Sequence, residues 1–206
     1  ERFTLNFSIA SAYNDQSTFN DAFLTYDGSE TDWLGYDRGF RDIPDILTER
    51  GGELTSNLYI RARRGEQYPE EAALLNESVR SLNGQMAPTT MSTPLNQRIS
   101  FSAGNQWQVF DNKQVGFVMG VNYRRDFSFY DNGVTANWEL VQSGAESLGE
   151  KYIFDDIRAT ENPQVNGLAT LAFKYSSNGS LELNYSYNHD AEKAARHLGR
   201  PRPERA

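Results

Sequence analysis

The sequence predicts an all-β protein: an antiparallel, up-and-down transmembrane β-barrel segment of about five strands that belong to a larger barrel. Oily and polar side chains alternate strictly with period two in five separate runs. The connections between runs alternate between long and short, and the polar face is rich in Asn, Gln, Ser, Thr and Gly rather than Lys and Glu. A soluble antiparallel β-sandwich acting as a binding module would alternate too, with one face on a core and one in water, and it stands as the alternative.

The first strand is expected over about 2–19, with Phe3, Leu5, Phe7, Ile9 and Tyr13 on one face and Arg2, Thr4, Asn6 and Ser8 on the other. The second, about 97–110, sets Ile99, Phe101, Ala103, Trp107 and Val109 against Arg98, Ser100, Ser102, Gln106 and Gln108. The third, about 115–130, carries Val115, Phe117, Met119, Val121, Tyr123, Phe127 and Phe129, and only Arg125 breaks its oily face. The fourth (about 152–175) and fifth (about 180–190) continue the rule through Val165, Ala169, Leu171, Phe173 and Tyr175, then Leu181, Leu183, Tyr185 and Tyr187. Side chains expected to meet outer-membrane lipid are Phe3, Leu5, Phe7, Ile9, Phe101, Phe117, Met119, Val121, Leu171, Phe173, Leu181, Leu183 and Tyr185. Aromatics gather at the run ends: Phe3, Trp107, Phe110, Phe173 and Tyr175 at one, Tyr13, Phe19, Tyr123, Phe127 and Tyr187 at the other, as interfacial girdles do.

Runs four and five join through Asn178-Gly179, a pair that tolerates positive φ and signals a hairpin, and runs two and three join through Asp111 to Gln114. Long loops are expected over 20–96 and 131–150, so an up-and-down order puts both tight turns at one end and both long loops at the other. The longer loop holds about thirteen Asp or Glu against about seven Arg. Within it one short helix is expected over 68–84. Pro69 suits its first turn, Leu75, Val79 and Leu82 form an apolar stripe that would pack on the rim or a neighbouring loop, and Gly84 ends it.

A net charge of −8 argues against nucleic acid as a partner, and no apolar run is long enough for a membrane-spanning helix. Five strands cannot close a barrel without leaving backbone groups unpaired in hydrocarbon, and the chain opens at Glu1 without Met, so a processed or partial piece is expected. The chain has no cysteine and only His189 and His197, which excludes a thiolate site and makes a histidine-rich metal site improbable. Asp27 to Asp32 lacks EF-hand order, Asp155 and Asp156 should point to opposite strand faces, and His189 is expected as a strand-end residue. No catalytic template is matched, so no enzyme activity, cofactor or metal is expected.

The stretch from Phe23 to Pro44, through Tyr26, Gly28, Asp32-Trp33-Leu34-Gly35, Asp37, Gly39 and Arg41, resembles a segment of TonB-dependent outer-membrane receptors of the Bacteroidota type. Thr93-Pro94-Leu95-Asn96-Gln97 and Phe101-Ser102-Ala103-Gly104-Asn105 resemble that family's strand returning into the membrane, and Asp190 to Arg196 a strand leading outward. The resemblance implies a barrel of 22 strands in the bacterial outer membrane, with periplasmic tight turns and extracellular long loops. It implies a plug domain and TonB box outside these residues, energy from the TonB complex, a surface lipoprotein as a further partner, and import of a small nutrient. A non-transporting structural or adhesive barrel is the other membrane alternative. Substrate or loop contacts are expected at Trp33, Tyr36, Asp37, Arg38 and Arg41, whose aromatic faces and guanidinium forks suit sugars, peptides or chelates, with holding the loop's own fold the favoured role. The tail from His197 to Ala206 departs from the pattern of a continuing loop.

Overall fold

The computed structural model describes residues 3–82, 84, 87–110, 113–140 and 147–199. It is mostly antiparallel β-sheet and divides into two units, one of residues 1–27, 31–36 and 87–206, the other of 28–30 and 37–86.

In the first unit the strands are β1 (Thr4–Ala12), β2 (Phe23–Thr25), β3 (Thr89–Met91), β4 (Asn96–Phe110), β5 (Lys113–Glu139), β6 (Gly149–Ser176), β7 (Gly179–Asp190) and β8 (Lys193–Gly199). The main sheet runs β1-β4-β5-β6-β7 in chain order, with β8 following β7 along the same edge of β6, and β2 and β3 form a separate two-stranded antiparallel sheet. The sheet is open, with β1 at one edge and β7 and β8 at the other.

Register carries the alternation across the sheet. Phe7, Phe101, Val121, Gly167 and Tyr187 form one transverse row, and Ile9, Ile99, Tyr123, Val165 and His189 form the next. The rows beyond turn charged: Arg125 lies opposite Pro163, and Glu161 opposite both Phe127 and Lys193. Every residue of β1 is exposed, Phe7 at 65% and its polar neighbours alike.

Several expected boundaries move. The first strand ends at Ala12 rather than near 19, because Asn14 turns the chain: its side chain accepts the Gln16 N–H and its carbonyl the Thr18 N–H. The segment 131–150 is not all loop, since β5 runs on to Glu139 and β6 starts at Gly149. Asp131-Asn132-Gly133 is absorbed as a bulge between Tyr130 and Gly133, where an added Cβ would lie 2.4 Å from the Tyr130 ring. The fifth strand resumes as β8, which includes His197–Gly199 of the expected divergent tail; residues 200–206 lie outside the described residues, as do 111 and 112 of the β4–β5 turn and 141–146. The break between β7 and β8 faces Pro163. Its carbonyl accepts the Ala191 N–H at 3.1 Å, but its nitrogen has no hydrogen to return along that edge.

The β6–β7 turn is Ser177-Asn178, and neither these residues nor Gly179 takes positive φ. A Cβ at 179 would meet the end of the exposed Tyr175 ring at 2.5 Å, so a larger residue there would have to displace that ring. A small core in the first unit buries Phe23, Phe127, Phe129 and Ala159 under Leu24 and Met91 of the two-stranded sheet, with the Phe23 and Phe127 rings edge to face at 5.8 Å. Phe127 is therefore covered by loop rather than displayed as a girdle residue. The β5 edge above the end of β4 is sealed by side chains: Asn96 accepts the Phe127 N–H at 2.9 Å and Ser17 donates to the Phe127 carbonyl at 2.8 Å.

Among the described residues the second unit holds three α-helices rather than one: α1 (Asp45–Arg50), α2 (Ser56–Ala62) and α3 (Pro69–Ser81). Pro69 occupies the first turn of α3 as expected, with Glu70 and Glu71 complementing its dipole. The buried stripe is Leu74 and Ser78, one residue round from the expected one, which leaves Val79 60% and Leu82 52% exposed. Thr55 caps α2 by accepting the Leu58 N–H at 3.2 Å, and α2 packs on α3.

Candidate functional site

The Asp32-Trp33-Leu34-Gly35-Tyr36 segment folds as a short 3-10 turn and docks on the oily face of the sheet at the Ile99–Tyr123–Val165–His189 row. The Asp32, Trp33 and Tyr36 side chains each have a strand partner. Tyr123 donates its hydroxyl to the Trp33 carbonyl at 2.7 Å, and the two rings meet edge to face at 5.8 Å. Tyr36 stacks flat on His189 with centroids 4.1 Å apart and shares a hydroxyl hydrogen bond with Tyr187, which raises the Tyr36 phenol above its ordinary value. His189 Nε2 donates to the Gly35 carbonyl at 2.8 Å; a carbonyl only accepts, so this nitrogen carries the hydrogen.

Gly35 sits at φ +83°, and a Cβ there would meet the Ala191 Cβ at 2.8 Å and His189 Nε2 at 3.0 Å. Lys193 Nζ completes the clamp by pairing with Asp32 at 3.0 Å while lying 4.8 Å from the Tyr26 ring centre. Both charges are largely shielded, so Lys193→Met should weaken docking of this segment by about 1–2 kcal/mol, read as faster amide exchange across 31–36. His189, expected as a strand-end residue, is the penultimate residue of β7 and there forms the floor of the clamp.

Trp33 and Tyr36 therefore lie on the face opposite the polar one. Asp37, Arg38 and Arg41 belong to the second unit, where Asp37 accepts the Phe40 and Arg41 N–H groups and pairs with Arg41 at 3.7 Å, while Arg38 is exposed. The five expected contact residues are thus divided between the two units.

The polar face offers a different surface. Asn6 and Ser102, Gln106 and Gln114, and Thr170 and Asn184 hydrogen-bond across strands. Gly104, Gly116 and Gly120 leave two shallow hollows of about 300 and 370 Å³ between these pairs, with Val118 and Leu168 as apolar exceptions on the face. Beyond the charged rows this face carries a buried knot that sequence reasoning missed. Asp156 accepts from Arg196 Nε at 2.7 Å, from Tyr130 at 3.0 Å and from Thr135 at 2.9 Å, and Arg196 Nη2 closes a second bond. The Arg196 guanidinium above all, then the Thr135 and Tyr130 hydroxyls, hold the Asp156 carboxyl well below the usual carboxylate range, against burial, which pushes it up. Arg158 stands directly opposite Arg196 and pairs with Glu192 at 3.0 Å. No group of three His, Cys, Asp or Glu able to hold a metal ion occurs among the described residues.

Comparison with family models, with curated proteins and with solved structures finds no match to this chain.

Proposed function

We propose that this sheet is part of the wall of an outer-membrane β-barrel that imports a small nutrient. In this reading the oily face meets lipid, the polar face lines the lumen beside a plug, and energy comes from the TonB complex. One observation carries the membrane reading: the oily face is continuous in register across five strands up to the row of Arg125, beyond which Phe127 and Phe129 on the same face are covered by Phe23, Leu24 and Met91. From Tyr175 to Val165 the belt runs ten residues, about 33 Å along the strand and about 25 Å in height at the ~40° tilt of barrel strands, the height of an outer-membrane apolar band. Phe7 and Leu183 are 65% and 68% exposed, as a lipid face without its lipid would be and a sandwich core would not. Import itself rests on the family resemblance and on the hollowed polar face.

The chain lacks cysteine, so single cysteines can carry spin labels at Phe7, Ser8, Leu183 and Asn184 of the reconstituted protein. Labels at 7 and 183 should collide freely with oxygen and rarely with a water-soluble nickel complex, and labels at 8 and 184 should do the reverse. Shielding of 7 and 183 from both relaxants would establish the sandwich instead. Growth of a deletion strain in competition on defined iron, sugar or peptide sources tests import and narrows the nutrient.

A further inference from the structure

The clamp segment ends at the same height as the belt. Trp33 covers Tyr123, and Tyr36 covers His189 and reaches Tyr187, so the strand aromatics of the last apolar rows lie beneath loop aromatics. After docking, Trp33 remains 46% and Tyr36 38% exposed, on the oily side, one row below Arg125. Indole and phenol rings combine an apolar body with a polar tip and partition to the headgroup layer. The charges at this level are paired rather than projecting: Asp32 with Lys193, Arg125 with Glu161 at 2.6 Å. A paired, shielded boundary above a band of half-exposed aromatics suits a bilayer interface better than a protein partner read by charge.

We propose that Trp33 and Tyr36 seat the 31–36 segment in the headgroup layer of the outer leaflet, so that the long loop supplies this part of the aromatic girdle. The inference rests on the lipid-belt reading above. It makes this stretch a bilayer-contacting collar on the outside of the wall instead of a lining of the vestibule.

The chain has three tryptophans, which separates the two claims. In liposomes containing lipid brominated near the glycerol end of the acyl chain, the full chain with Trp33 as its sole tryptophan should lose roughly half its emission and resist aqueous iodide. The chain with Trp107 as its sole tryptophan should be quenched by the bromolipid too, and the Trp138 version, on the projecting β5–β6 hairpin, by iodide alone. Quenching of Trp33 by iodide only, with Trp107 still quenched by bromolipid, overturns the collar and leaves the belt standing. Failure of bromolipid to quench either Trp33 or Trp107 overturns the belt and the collar with it. Trp33 itself is untouched in its own measurement, and Phe at 107 and 138 preserves an apolar ring, so folding of the clamp is not at stake.

Discussion

Gly35→Ala should release the 31–36 segment from the strand wall while leaving the sheet intact. The left-handed conformation at Gly35 costs an L-residue about 1–2 kcal/mol, and forcing a methyl into a packed contact costs about 1–3 kcal/mol more. The methyl cannot be accommodated by a flexible side-chain end, because its nearest neighbour is the Ala191 Cβ at 2.8 Å, fixed to the backbone where β7 gives way to β8. A combined loss of about 2–5 kcal/mol corresponds to opening that is roughly thirty- to several-thousand-fold more frequent. Amide exchange measured by mass spectrometry should show it across 31–36 and at His189, with β4 unchanged. Gly51→Ala serves as the control. Gly51 has φ −57° and open space around it, so the same substitution there should be neutral or slightly stabilising. Equal exchange in the two variants would show that the glycine clamp does not hold the segment.

The Gly35 contact also marks how far sequence reasoning reached. Asp32, Trp33, Gly35 and Tyr36 stand out as a motif, yet their partners Tyr123, Tyr187, His189 and Lys193 lie about 90 to 160 residues away, and a single sequence carries no signal that pairs them. Alternation gave β4, β7 and the oily rows directly, because a half-open sheet imposes period two on every strand. It failed where a local turn signal competed with it. Asp131-Asn132-Gly133 reads as a turn, but the sheet takes it as a bulge, and Val134, Ala136 and Trp138 then continue an alternation visible in the sequence all along. Asn178-Gly179 marked the right hairpin, although neither residue takes the positive φ on which that signal rests. In α3 the apolar count favoured Val79 and Leu82. Leu74 and Ser78 are the residues buried instead, a choice that periodicity in so short a helix does not resolve.

Asp156→Ala should loosen the outer section of the sheet, residues 131–139, 149–161 and 193–199, by about 1–3 kcal/mol. Asp156 is 3% exposed and gathers the Tyr130 and Thr135 hydroxyls with the Arg196 guanidinium around one carboxylate. Removing it strands those donors and leaves Arg196 facing Arg158 across the ladder, where like charges directly opposite destabilise. The cost stays below that of a fully buried pair because the Arg196 side chain is 45% exposed and water screens it. The pH dependence has a definite sign. The folded carboxyl titrates below its unfolded value, chiefly through Arg196, so the unfolded state binds more protons under acid conditions. The stability Asp156 contributes is therefore fully present above about pH 4, begins to fall as pH drops below that unfolded value, and is lost on passing the depressed folded one. Amide exchange of the outer section, compared between wild type and Asp156→Ala, should show a constant difference from about pH 5 to 8 that narrows below about pH 4. Asp156→Asn keeps the shape without the charge and should track the alanine variant at neutral pH. A difference that instead grew on acidification would mean that burial, not the guanidinium, governs this carboxyl.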